Sequence, residues 1–414
     1  MSAHYDAVII GGGVAGSSCA ILLAHAGWSV ALVEKQDFPR RKVCGECIAA
    51  SNLALLDTLG IGEKFRAIAG PALRRAAWCS GEAMIQAALP PLAETVGAKY
   101  PWGRALGREH LDTLLLGRAR EVGATILQPC SVRSVDHGDG VHGCNVIDAQ
   151  GCAQLIQANV LIDAHGSWQH GPLAHSARPR RSRASDLFAF KANFSSAHLQ
   201  DGVLPVLAFA GGYGGMVQGD HGLLTLACCV RRDRLQRWRE QCRGVTAGEA
   251  VQTLLGREIR AVRDALRGAR REGGWLAVGP IWPRIGKAQP AAGVYAVGNS
   301  AGEAHPILGE GISMAIQSAF LLCERLIDGA DDVGSSYARA WRRAFAPRIR
   351  LAAIYAHIAM NPVANRALLP LLKIWPQLIS AGARWGGKAR CAVDARRFSA
   401  FQPSETHSRM LSDR

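Results

Sequence analysis

Long apolar runs are missing from this 414-residue chain. No uninterrupted stretch reaches the roughly 20 residues that span a bilayer. The nearest, Ala367–Ala383, carries Lys373, Pro370 and Pro376, which excludes a spanning helix but leaves an interfacial one open. No internal repeat or low-complexity tract occurs, so solenoids are excluded. A content of 49% hydrophobic and 20% charged residues excludes disorder and collagen-like chains. A basic leader and cleavage site are absent too: Met1–Asp6 runs straight into an apolar strand, so a cytoplasmic location is expected. The twelve cysteines lack a framework spacing and are expected to be buried thiols in a reducing compartment. Only one Cys-x-x-Cys occurs, Cys44 to Cys47, with no second Cys or His pair at ligand spacing, so no metal site is expected.

Acidic residues are scarce in one place. The net charge is +15, and residues 338–414 hold fourteen basic side chains against three acids. The basicity therefore belongs to the tail, and no nucleic-acid partner is expected. A local anionic partner fits better: a membrane face, a carrier protein or a nucleotide phosphate.

What is present reads as α/β. Tyr5 to Ile10 is an apolar run ending in Gly11-Gly12-Gly13, Val14 to Ala26 has helical apolar spacing closed by Gly27, and Ser29 to Val33 is a second buried strand. Strand, glycine turn, helix and strand within about 30 residues make a βαβ unit and a parallel sheet. A helix at Arg108–Val122 leads to strands at Ala124–Gln128, Ser131–Asp136, Val141–Asp148 and Gln154–Asp163. Residues 184–192, 203–210 and 213–230 read as an inserted antiparallel sheet, and Arg231–Arg243 and Thr246–Arg271 as arginine-rich helices. Val294–Val297 returns to a buried strand that feeds a long apolar helix. The tail from Ser335 is helical and basic, with a polar end.

Gly11-x-Gly13-x-x-Gly16 joins a strand to a helix, and Glu34 ends the second strand. This is the context of a dinucleotide fingerprint. The glycines let a pyrophosphate approach the backbone at the helix start, Val14 and Ala15, while Glu34, followed by Lys35, faces an adenosine ribose.

The fingerprint alone leaves NAD and FAD open. Val294–Gly302, followed by Pro306, Gly309-Glu310-Gly311 and an apolar helix, resembles the second FAD motif of the flavoprotein aromatic hydroxylase and geranylgeranyl reductase superfamily. The resemblance implies FAD, with Gly298 and Asn299 at the ribitol and Pro306, Gly309, Gly311 and Ile312 laying a positive helix end beside the isoalloxazine. Arg41–Glu46 resembles that superfamily's Lys-x-Cys-Gly-Glu segment, which brings Lys42, Cys44 and Gly45 to the flavin. Leu161–Gly166 stands at its Asp-Gly motif, with His165 in place of the acid before Gly166, and Arg108-x-x-Leu111-Asp112 matches the arginine helix that reaches FAD. Val132 joins the cofactor-binding set. Asn299 replaces the usual ribitol-binding Asp but keeps hydrogen-bonding capacity. Tyr213-Gly214-Gly215 with Gly219-Asp220 resembles the reductases' substrate segment; Gly215 and Val217 stand where those carry large aromatics, which predicts a wider pocket. The resemblance covers residues 5 to 330.

Two related chemistries are disfavoured. The Trp-x-Trp-x-Ile-Pro segment of tryptophan-type halogenases is missing, its nearest likeness being Pro280–Pro283, and Cys44/Cys47 lacks the second NAD fingerprint that accompanies a flavin-linked dithiol. His305 is the catalytic candidate, placed to exchange protons with substrate or flavin; Glu303, Glu46 and Cys47 are further candidates. In the tail, Ala367–Ala383 combines Leu, Ile and Trp375 with Lys373, Arg366, Arg384, Lys388 and Arg390. That mixture fits packing on the catalytic body, or a membrane-surface or carrier-protein contact at the inner membrane face with a hydrophobic substrate.

The expected fold is a doubly wound, Rossmann-like FAD domain (residues 1–180 and 275–334), a β-rich substrate domain (181–274) and basic C-terminal helices (335–414). The expected function is a monooxygenase that hydroxylates an aromatic or polyketide-like hydrophobic substrate, with NAD(P)H as transient reductant and O2. The alternatives are an FAD-dependent reductase of isoprenoid-like double bonds and a non-catalytic lipid- or partner-binding protein on the flavin fold.

Overall fold

Apolar strands buried on both faces form the base of the molecule. The computed structural model describes residues 3–92, 100–138, 140–167, 181–329, 332–388, 391–393 and 398. In the first sheet the order is Thr125–Leu127, Val30–Val33, Ala3–Ile10, Ala153–Asp163, His142–Asp148, Cys130–His137. The first four strands are parallel. Ala153–Asp163 serves two neighbours: its first half pairs antiparallel with His142–Asp148, and its end pairs parallel with Val294–Ala296. The chain thus returns to its first sheet after an excursion of more than a hundred residues, as the late apolar strand predicted. Helices Val14–His25, Arg108–Glu121 and Gly311–Ile327 cover one face, with Ile21, Leu23, Leu115, Ile316 and Phe320 buried between them.

The second sheet has the order Arg270–Ile281, Leu187–Ser195, Leu224–Arg231, Gly212–Gln218, Val203–Phe209, Arg75–Ser80, Ala83–Ala88. All its pairs are antiparallel except Val203–Phe209 with Arg75–Ser80. The sheet therefore reaches outside 181–274 at both ends. It recruits two strands from residues 75–88, and Arg270–Ile281 crosses residue 275. The helix expected across Thr246–Arg271 is two helices, Ala247–Glu258 and Arg260–Ala265, parted at the extended Ile259 and followed by that strand; Gly268, with φ +73°, lies between the second helix and the strand. Helices Arg232–Gln241 and Ala247–Glu258 cover the sheet's outer face around Trp238, Leu254 and Leu255.

The tail forms helices Val333–Met360, Pro362–Ile374 and Gln377–Ala383, the last two broken at Trp375-Pro376. The first lays Tyr355, Ala356 and Ala359 against Tyr213 and Ile307. Asn361 caps the second by accepting from the Val363 and Ala364 N–H groups at 2.9 and 3.1 Å. Among the described residues no helix is long and apolar enough to cross a membrane. Arg390, the polar end and the boundary expected at residue 180 lie outside the described residues.

Candidate active site

The cleft begins where Ala3–Ile10 ends. Gly11 has φ +107°, and a Cβ there would stand 2.5 Å from the Ala164 carbonyl oxygen; a Cβ on Gly16 would stand 1.9 Å from the Gly11 carbonyl oxygen. Glycine is thus required for the turn and for helix–strand contact. Gly13 opens helix Val14–His25 with no side-chain cap and no acid in the first turn, so its first N–H groups are left for an anion. Gly13, Val14 and Ala15 line the cleft. At the end of the next strand, both Glu34 carboxylate oxygens accept backbone N–H groups, from Gly12 at 2.8 Å and Gln36 at 2.9 Å. Gly11, Glu34, Lys35, Val132 and His165 line its adenosine end.

Cations converge on this cleft. Arg108 is buried and held bidentate by Asp112 at 2.7 and 2.8 Å; Arg40 stands 3.5 Å from the same carboxylate. The buried Arg40 Nε has no hydrogen-bond partner among the described residues. Lys42 lies between the adenosine and flavin parts of the cleft. Burial, then the charges of Arg108 and Arg40, push its ammonium down to about 8. An anionic diphosphate would relieve this crowding.

A second helix serves the other end. Gly309 turns with φ +62°, and Gly311–Ile327 starts without a side-chain cap or an acid in its first turn. Gly309, Gly311, Ile312 and Pro306 line the cleft with Gly298, Asn299, Gly166, Cys44, Gly45 and Arg108. A Cβ on Gly45 or Gly311 would meet nothing within 4 Å, so the space beside them is open. At the two departures from the superfamily pattern, the His165 ring pairs with buried Asp163, and Asn299 donates to Ser167 Oγ at 2.6 Å. Two uncapped helix ends, a cluster of cations and a ribose-facing carboxylate in one cleft fit FAD.

Beyond Gly309 the lining changes character. Val43, Cys44, Gly45, Cys47, Pro306 and Gly309 are shared with a second cavity against the substrate sheet, closed by Phe190, Val206, Tyr213, Gly215, Met216 and Ile307 among others. Among the described residues no charged side chain lines it. Tyr213, Cys228 and Cys229 are buried, and burial raises the pKa of all three, that of Cys229 to about 12. None of the twelve cysteines is in a disulfide. Gly215 lines the cavity as expected, but Val217 does not: it is buried against Cys47, Leu73 and Ala105.

His305 stands behind Tyr213, its Nδ1 3.0 Å from the phenol oxygen, and burial pushes it down to about 4. It is neutral at pH 7, and Tyr213 is the side chain of this pair that lines the cavity. Glu303 lines the flavin part of the cleft; burial pushes it up to about 7 against the opposing pull of Ser167, Arg284 and Lys42. Glu46 adopts φ +57° and is buried, pinned by Lys191, by Thr225 Oγ1 at 2.6 Å and by the Arg108 N–H at 3.0 Å. Lys191, fully buried on the substrate sheet, is the residue that sequence reasoning missed. Its signal was a lone cation inside the apolar strand Leu187–Ser195. Away from the cleft, His110, Asp220 and His221 bring three donor atoms within 4.8 Å. There Asp220 caps the Arg108 helix through the Gly107 N–H at 2.7 Å and pairs with His110.

Residues 4–336 match the FAD binding domain family. The chain belongs to that family. As a member it is an FAD-dependent enzyme, and its fold is that of the flavoprotein monooxygenases and halogenases. It is similar to the menaquinone reductase of Mycolicibacterium smegmatis, 26% identical over 372 residues that cover 82% of this chain and 80% of that one. Kynurenine 3-monooxygenase of Stenotrophomonas maltophilia is 28% identical over 185 residues, 44% of this chain and 39% of that one. Over several other relatives the chain spans only 33% to 37% of their length. Among solved structures, the myxobacterial chondrochloren halogenase CndH matches with a TM-score of 0.73 over 97% of this chain and 98% of that chain, at 17% identity, a likeness of fold.

Proposed function

We propose that this FAD-dependent enzyme is a monooxygenase that hydroxylates an aromatic or polyketide-like hydrophobic substrate, with NAD(P)H as transient reductant and O2 as co-substrate. The observation that carries the reading is the uncharged cavity that shares a wall with the flavin part of the cleft. Bound FAD supplies the redox chemistry, including activation of oxygen. The chain's own residues position and exclude. Phe190, Val206, Met216 and Ile307 offer apolar contact to a ring. Gly215 leaves the width for it, and Tyr213, held protonated by burial and backed by neutral His305, can orient a substrate hydroxyl. The absence of a charged wall keeps water from being organised at the reacting centre.

The test is oxygen consumption coupled to product. Flavin bleached by NAD(P)H and rapidly reoxidised in air, with 18O from labelled O2 in the product, is the expected result. Reduced flavin that persists in air, with substrate saturated under nitrogen, overturns it. That second outcome is the double-bond reductase, a reading supported by the similarity to menaquinone reductase across most of both chains.

A further inference from the structure

Ten large hydrophobic side chains are exposed among the described residues, and seven of them fall within residues 354–385: Ile354, Val363, Leu371, Ile374, Trp375, Leu378 and Trp385. Five of the seven are at least half exposed, Val363 at 73% and Ile374 at 65%. Their arrangement is ordered. On helix Pro362–Ile374 the inward positions are Asn365 and Leu372. Asn365 fastens the helix to the substrate sheet, accepting from Trp78 Nε1 at 3.0 Å and donating to Ser80 Oγ at 2.6 Å. The opposite face carries Val363, Ala367, Pro370, Leu371 and Ile374, a helical stripe of apolar side chains turned away from the protein. A surface helix ordinarily puts its polar face there. The next helix continues the pattern with Leu378 and is held to the edge strand by Ser380 Oγ donating to the Ala88 carbonyl at 2.6 Å.

The charges beside this face have one sign. From Val333 to Val393 the sequence holds ten arginines and lysines and not one Asp or Glu. Arg366 and Lys373 lie a helical seven apart along one flank of the stripe, and among the described residues neither they nor Arg384 pair with an acid. Two tryptophans border the apolar stripe. This is the composition of a surface seated at an anionic lipid interface: apolar side chains in the acyl boundary, indoles at headgroup level and cations on the phosphates. The face also reaches the substrate cavity. Segment 384–388 packs on Leu308, where a Cβ on Gly386 would stand 3.0 Å from Leu308 Cδ2, and Leu308 lines the cavity.

We propose that the outward face of helices Pro362–Ile374 and Gln377–Ala383, with Trp375 and Trp385, docks this enzyme on an anionic bilayer, from which a membrane-dissolved amphiphile enters the cavity beside Leu308. The docking stands on the surface alone; the entry of substrate rests on the proposed function.

The experiment is flotation of the full-length, FAD-loaded protein with vesicles of equimolar phosphatidylglycerol and phosphatidylcholine, against vesicles of phosphatidylcholine alone. The protein is expected to float with the anionic vesicles, less with the neutral ones and less at high salt. I374S/W375S lowers the partition by about tenfold or more, and K373Q/R384Q removes most of the preference for phosphatidylglycerol. Both variants keep their flavin absorbance and thermal midpoint, since neither touches the cleft. Wild-type protein that stays at the bottom with both vesicles overturns the docking. So does undiminished flotation of I374S/W375S, or a loss confined to self-association in sedimentation velocity or to binding of an acidic carrier protein. Oxygen-coupled turnover measured on the same protein separates the two readings. Turnover without flotation removes the docking and leaves the monooxygenase; flotation without turnover does the reverse.

Discussion

The FAD cleft and the cavity beyond it share a wall yet are built on opposite physical terms. In the cleft Arg40, Lys42, Arg108 and two uncapped helix ends gather positive charge, countered by Glu34 and Asp112. In the cavity no described residue carries a formal charge, and burial holds the Cys228 and Cys229 thiols and the Tyr213 phenol protonated. A site that holds a dianion needs many donors fixed in advance, whereas a site that admits an apolar ring needs shape and the exclusion of water. The first is sensitive to a single backbone atom, the second to side-chain volume.

The comparison can be broken at its most rigid point first. Gly16→Val forces a side chain into the Gly11 carbonyl. Flavin absorbance of the purified protein is expected to vanish, with stability in urea down by about 3 kcal/mol or more. The seam between the two regions is next. Lys191→Met leaves Glu46 without its buried cation, and Glu46→Gln leaves Lys191 without its carboxylate. Each is expected to cost about 3 kcal/mol in denaturant titration, with the double change recovering part of the loss because no charge is then left unpaired. If either single change proves neutral, the segment that carries Glu46 is not held to the substrate sheet through this pair.

Gly215→Leu sharpens the contrast. It fills the cavity without touching the cleft, so FAD content stays constant while the apparent Kd for a hydrophobic substrate, followed by perturbation of the flavin spectrum, rises about tenfold. A pH series gives the smallest effect. With Lys42 at about 8, its ammonium is charged below that value, and a bound diphosphate raises its pKa. FAD affinity is therefore level below pH 8 and falls as pH climbs through it, by at most about tenfold per unit. Lys42→Met flattens the profile; a profile equally steep in the variant assigns the effect to another group.

The two regions also differ in how much of them could be read from the sequence. The fingerprint was legible because its requirements are local: a positive φ at Gly11, a missing Cβ at Gly16 and a carboxylate one strand away are all set within about 30 residues. Pro306, Gly309 and Gly311 were legible only through the family resemblance of their segment. The strands Arg75–Ser80 and Ala83–Ala88 were not, because Arg75 meets Val203 across more than a hundred residues and nothing in their short alternation marks the partner. Val217 misled because it shares the strand face of Gly215 but lies one pair further along, packed on Cys47, Leu73 and Ala105 beyond the cavity, and alternation does not say where along a face a cavity stops. His305 was expected at the cavity, but Tyr213, on a strand far away in sequence, takes the lining position in front of it. The run Arg267–Arg271 reads as helix by composition, while Gly268 ends the helix and starts a strand.

The two helix ends that open without side-chain caps also bear on the protein's life in a cell. Without a nucleotide, the two dipole ends and Lys42 are left with Glu34 and Asp112, already engaged by Arg40 and Arg108, as the anions beside them, so a bound diphosphate adds favourable charge to this groove. Binding by mass action then adds stability in proportion to the logarithm of free FAD over its Kd. FAD-free chains are therefore expected to be the less stable ones and the more readily opened, which a lower thermal midpoint of the apoprotein would register.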